Sequence, residues 1–157
     1  MGYVLEAVIA GERLLAEAMR ESAALRVAPL GQGLSLMPVT ESLYDAFTDG
    51  SDRRPYGFRR LPGGFELTLA RWSAAGPVAY VEVEFFGGRG EQRAVVWHEG
   101  AVVLGPLFNG EDERFAAEGS PVSQALRRLG AVAGAEVDEF WAVGLQRHRG
   151  TDDWLGG

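Results

Sequence analysis

A chain of 157 residues fits one domain over 1–157, and a net charge of −7 opposes binding to nucleic-acid backbone, which works by releasing counterions through basic contacts. All 15 basic residues are arginine and cysteine is absent, which removes Schiff-base and P-loop lysines, thiol nucleophiles and thiolate zinc sites. No run of about 18 apolar residues could cross a bilayer, and the opening MGYVLEAVIAGERLL has no basic leader region, so a cytoplasmic protein without membrane association is expected.

In chain order, residues 3–9 (YVLEAVI) predict a strand, and after Gly11 a short helix gathers Leu14, Leu15, Ala18 and Met19 on one face. Segments 24–30 and 34–39 are short extended candidates separated by Gly31 and Gly33, which suits a hairpin. Thr40 caps a helix carrying Leu43, Tyr44 and Phe47, with Gly50 just past its end. Residues 48–64, TDGSDRRPYGFRRLPGG, are the most loop-like stretch, of the kind that carries binding residues. The pairs Arg53/Arg54 and Arg59/Arg60 within it, like Arg127/Arg128 later, could hold one anion, although solvated arginines facing an acidic surplus are the simpler reading. For 64–74, Phe65, Leu69 and Trp72 suit a helix while Phe65, Leu67 and Leu69 suit a strand; helix is preferred.

The stretch VAYVEVEFFGGRGEQRAVVW, 78–97, predicts two strands around a glycine-rich turn. Period two puts Ala79, Val81, Val83 and Phe85 on a core face and Tyr80, Glu82, Glu84 and Phe86 on a mixed one. A further turn at Glu99-Gly100 extends the pair to a three-stranded meander through AVVLGPL. The loop is a poor dinucleotide cradle, since Gly88-Arg89-Gly90-Glu91-Gln92-Arg93 lacks a third glycine and leads into a strand instead of a helix. Gly87, Gly88 and Gly90 are nevertheless more glycine than a turn requires, which implies a close approach by some other group. SPVSQALRRLG is the clearest helix, with Ser120 as cap, Pro121 in the first turn and Gly130 as stop. EVDEFWAVGL, 136–145, is left open. Strands joined by short turns favour antiparallel pairing, so the expected fold is α+β, a single mainly antiparallel sheet with helices packed on one face.

VAYVEVEFFGGRGEQRAVVW, together with SQALRRLGA, DEFWAVGLQRHR, the opening MGY and QGLSLMPVT, resembles a small uncharacterised family from high-GC bacteria with a Y-x-E-x-x-[YF]-F-G-G-x-G-x-Q-type motif. The resemblance covers most of the chain and implies no mechanism. Small α+β proteins of this kind suggest immunity proteins or other partner-binding modules.

Several residues are candidates for chemistry. Glu82 and Glu84 on one strand face could act as an acid and base pair or bind a cation, against a solvated face as the plainer reading. His98 and His148 lack any metal-ligand spacing, and Ser35 in GLSLM misses the second glycine of a nucleophile elbow. Asp138, Glu139, Trp141, Asp152, Asp153 and Trp154 form an acidic and aromatic group suited to a basic partner, although Trp141 in the core and a frayed tail beyond Gly150 is the simpler expectation. The leading reading is a non-enzymatic protein-binding module, of the immunity type that the resemblance implies, with no cofactor, no metal and no nucleic acid. Its candidate binding residues are Glu82, Glu84, Gly87, Gly88, Arg89, Gly90, Gln92 and His98. The alternatives are a small-molecule-binding protein or hydrolase with Glu82, Glu84 and His98 in a pocket beside the Gly-rich loop, and a homodimer pairing the Tyr80/Phe86 face.

Overall fold

The computed structural model describes residues 2–87 and 89–156. Six strands form one sheet: β1 (Tyr3–Gly11), β2 (Ala28–Pro29), β3 (Leu34–Pro38), β4 (Val78–Phe86), β5 (Arg89–His98) and β6 (Ala101–Asn109), in the order β2-β3-β1-β4-β5-β6. Every pairing is antiparallel, so the α+β architecture and the β2–β3, β4–β5 and β5–β6 hairpins expected from the short turns are all present. The helices are α1 (Glu12–Ala18), α2 (Glu41–Phe47), α3 (Phe65–Trp72), α4 (Pro121–Arg128) and α5 (Glu139–Ala142). Residues 64–74 thus resolve to a helix, and the open segment 136–145 to one helical turn capped by Asp138, whose carboxylate accepts from the Trp141 N–H.

Helices cover both faces of the sheet, which corrects the expectation of one. Leu5, Ala7, Ile9, Ala79, Val81, Val83, Ala94 and Val96 face Val122, Ala125 and Leu126 of α4. The alternate residues Val8, Ala10, Val78, Tyr80, Val95 and Trp97 face Leu15 of α1, Leu43 of α2 and Phe65, Leu69 and Trp72 of α3. Strands buried on both faces lose the apolar–polar alternation that marks a one-sided sheet and read as continuous apolar runs, as YVLEAVIA and RAVVW do.

The edges are blunted. β2 has only two residues, and β6 carries two register irregularities against β5, one of them at Gly105-Pro106, so neither offers a long flat edge for further pairing. The β5–β6 turn uses Glu99 and Gly100 at φ +55° and +83°, the double left-handed geometry that matches strand twist. Ser73 at the end of α3 holds that turn, its carbonyl accepting from Glu99 N–H at 2.9 Å and its Oγ from Gly100 N–H at 3.0 Å.

β3 pairs only with residues 7–11 of β1, which leaves the first half of β1 without a strand neighbour on that side. The C-terminal segment closes it. Val4 N–H donates to Arg149 O at 2.8 Å, the Thr151 hydroxyl donates to Glu6 Oε1 at 2.9 Å, and Trp154 is buried against the core. The tail beyond Gly150 is therefore a packed turn of 3-10 helix, Thr151–Leu155, not a frayed end. No helix among the described residues is long and apolar enough to cross a membrane.

Candidate functional site

Two adjoining regions lie at the end of the sheet where β4 turns into β5. On the face covered by α2 and α3, antiparallel register sets Glu82 between Glu6 and Arg93, and Glu84 between Val4 and Glu91. The loop 48–64 folds down over this row. Phe58 packs edge-on against Tyr80 with centroids 4.9 Å apart, and the next two backbone N–H groups, of Arg59 and Arg60, each donate to the Glu82 carboxylate at 2.7 Å. The Tyr80 hydroxyl gives a third donor at 2.8 Å. Burial raises the Glu82 carboxyl above its usual range, with those three hydrogen bonds pulling in the opposite sense. Burial also raises the Tyr80 hydroxyl well above its ordinary value, reinforced by the adjacent Glu82 charge.

Glu84 is half-buried and ion-paired with the Arg59 guanidinium. Glu82 and Glu84 do share a depression with Glu6, Arg59, Glu91 and Arg93, but its volume is about 10 Å³, roughly room for one water. His98 is not part of it: Glu82 pairs with Arg93, five residues before His98, which places the histidine roughly 17 Å along the strand at about 3.3 Å per residue. His148 packs edge-on against Trp154 at the opposite end of the sheet from His98. Among the described residues no group of three or more His, Cys, Asp or Glu side chains is placed to hold a metal. Tyr80 is fully buried and Phe86 exposed, so the two do not form one accessible face.

The glycine cluster resolves into separate tasks. Two residues separate Phe86 from its partner Arg89, and Gly87 takes φ +60°; Gly88 lies outside the described residues. Arg89 is exposed, 4.0 Å from the Asp112 carboxylate. Gly90 pairs with Phe85, whose ring lies across it: a Cβ at Gly90 would sit 1.7 Å from Phe85 Cδ1 and 2.7 Å from Glu84 O. The group that approaches Gly90 so closely is thus the side chain of the protein's own facing strand. Phe86, on the other side of the hairpin, lies in the same way on Gly2, where a Cβ would meet its ring at 2.4 Å. Gln92 is buried, and its Oε1 accepts from Val122 N–H at 3.1 Å, tying the first turn of α4 to the sheet.

Seating Phe85 on Gly90 builds the second region, on the face covered by α4 and α5. Phe85 and Phe140 both pack against Tyr3, with centroids 6.2 and 5.6 Å away. Beside them lie two adjoining depressions of about 160 and 280 Å³, both lined by Phe85, Phe140 and Trp141. Gln92, Phe115 and Asp138 complete the first, Tyr3, Gln146 and Arg149 the second. Trp141 is 55% exposed and Phe115 53%, so the expectation of Trp141 in the core is corrected. Adjacent helical positions point about 100° apart, so with Phe140 turned in against Tyr3 its neighbour Trp141 faces outward.

Glu139 is buried and paired with Arg127 Nε at 2.8 Å, and Trp154 is in the core, so neither belongs to the exposed acidic and aromatic group anticipated from the sequence. Phe115 is the member that sequence reasoning missed. It lies in the segment EDERFAAE, 111–118, an acidic run whose single aromatic was the available signal. Glu111, Asp112, Glu113, Glu118, Glu136 and Asp138 are all exposed. The site is therefore an aromatic hollow at the hairpin end of a two-sided α+β sheet, with Asp138 lining one depression and Arg149 the other. Comparison with protein-family profiles, with curated proteins and with solved structures returns no match.

Proposed function

We propose that this chain is a non-enzymatic protein-binding module of the immunity type, acting in the cytoplasm and taking a basic partner against the aromatic hollow of Phe85, Phe115, Phe140 and Trp141. The observation that carries this reading is the pair of half-exposed aromatics, Trp141 and Phe115, beside one 160 Å³ depression. Exposed aromatics set in a desolvatable hollow are the residue type and setting in which interface binding energy concentrates. The exposed acids of 111–118 together with Glu136 and Asp138 would speed encounter with a basic surface. The small-molecule or hydrolase reading has less support, because the Glu82/Glu84 depression is about 10 Å³ and both carboxylates already have protein partners.

A photo-crosslinking residue at position 141, compared with one at exposed Leu67 on α3, tests the proposal in native lysate. The expected result is a discrete adduct with a basic protein from position 141 only, suppressed by added salt. Trp141→Ala is then expected to weaken binding of that protein by about 2 kcal/mol, roughly 30-fold, with unchanged thermal stability. Equal labelling from both positions, or turnover of a small molecule by the purified chain without any such adduct, would overturn it.

A further inference from the structure

The loop 48–64 carries four of the chain's arginines, at 53, 54, 59 and 60, in a protein of net charge −7. Carboxylates fix it at both ends. Asp49 Oδ1 accepts from the Ser51 N–H and hydroxyl at 2.9 and 2.6 Å, and the buried Glu66 accepts from Gly64 N–H at 2.7 Å, while Glu82 holds the Arg59 and Arg60 backbone. Two of the guanidiniums are aimed by the same set: Arg53 bridges Asp49 and Glu66 at 3.2 and 2.9 Å, and Arg59 pairs with Glu84. The result is a polar depression of about 290 Å³ lined by Tyr44, Ser51, Asp52, Arg53, Arg54 and Arg59.

Arg54 is in no ion pair among the described residues, and Arg60, also without one, has its guanidinium 5.0 Å from the centroid of the Tyr44 ring that forms the wall. Three arginines oppose a single carboxylate, Asp52, in the lining. Guanidiniums held in place by carboxylates behind them lose little side-chain entropy when they meet a ligand, and their forked donors match an oxyanion.

We infer that this depression is a binding site for a phosphate group, held by Arg53, Arg54 and Arg59. It lies on the α2–α3 side of the sheet and is separate from the aromatic hollow. Titration of the arginine Nε–Hε NMR signals with inorganic phosphate, against sodium chloride at matched ionic strength, tests it. Saturable shifts at Arg53, Arg54 and Arg59 with phosphate alone are expected. Arg54→Gln should lower the affinity about tenfold, the loss of one charged hydrogen bond, while Arg128→Gln, at an exposed position of α4, leaves it unchanged and Asp52→Asn raises it. Titrations with O-phosphoserine and with a nucleoside monophosphate separate a phosphorylated protein from a nucleotide as the source, the tighter ligand naming it. Shifts no larger than those with chloride, or an Arg54→Gln affinity equal to wild type, would overturn the inference.

Discussion

Replacing Glu82 with alanine is expected to cost about 3 kcal/mol of folding stability at neutral pH. The substitution leaves the Arg59 and Arg60 N–H groups and the Tyr80 hydroxyl without their acceptor beneath the loop. A buried donor left unpaired costs about 1–3 kcal/mol, and relaxation of the loop together with relief from burying a carboxylate offsets part of the sum. Chemical denaturation gives the total. Faster amide exchange at Arg59 and Arg60, with the β1–β4 amides still protected, would place the loss in the loop. A cost below about 1 kcal/mol would show that the carboxylate is not what fixes 48–64.

The pH dependence at this residue has a definite sign. Burial lifts the folded-state carboxyl above its ordinary value of 4.5, so the contribution of its titration to stability is complete below that value and is lost as pH rises through the raised folded value. Glu82→Gln does not titrate. Its cost relative to wild type is therefore expected to be larger at about pH 4 than at about pH 7, read by denaturation at the two pH values. A larger cost at neutral pH would mean that the three donors outweigh burial.

The second large effect is expected at Gly90. In Gly90→Ala the new methyl meets the Phe85 ring at 1.7 Å and the Glu84 carbonyl at 2.7 Å, so the ring must leave its seat and the strand must shift. Overpacking of this kind costs about 2 kcal/mol. With Phe85 already replaced by alanine, only the carbonyl contact remains, and the cost of Gly90→Ala is expected to fall by roughly half. Additivity of the two substitutions to within about 0.5 kcal/mol would separate Gly90 from Phe85 and leave the glycine without a packing role. Because Phe85 lines both aromatic depressions, Gly90→Ala should also weaken whatever binds at Trp141.

Much of the fold was legible because its signals are local. Thr40 and Ser120 each cap a helix through the side-chain oxygen, and the Glu99-Gly100 turn joins β5 to β6 where the dipeptide predicted. The candidate site was less so. Glu82 looked like one of two solvated carboxylates because its ligands are backbone N–H groups from a loop more than 20 residues away, and backbone donors leave no residue signature. Trp141 and Trp154 exchanged their expected environments. Whether either is buried depends on β1, which meets both segments from the far end of the chain.

By itself, then, the sequence determined the antiparallel α+β sheet, the order and caps of most helices and the exclusion of lysine and thiol chemistry, because period, caps and composition act over a few residues. Only the tertiary structure decided that helices cover both faces, that Phe85 is what occupies the space over Gly90, and that Phe115 and Trp141 share one hollow. Those facts depend on which distant segments come to lie across the sheet, and long-range packing leaves no periodic trace in a single chain.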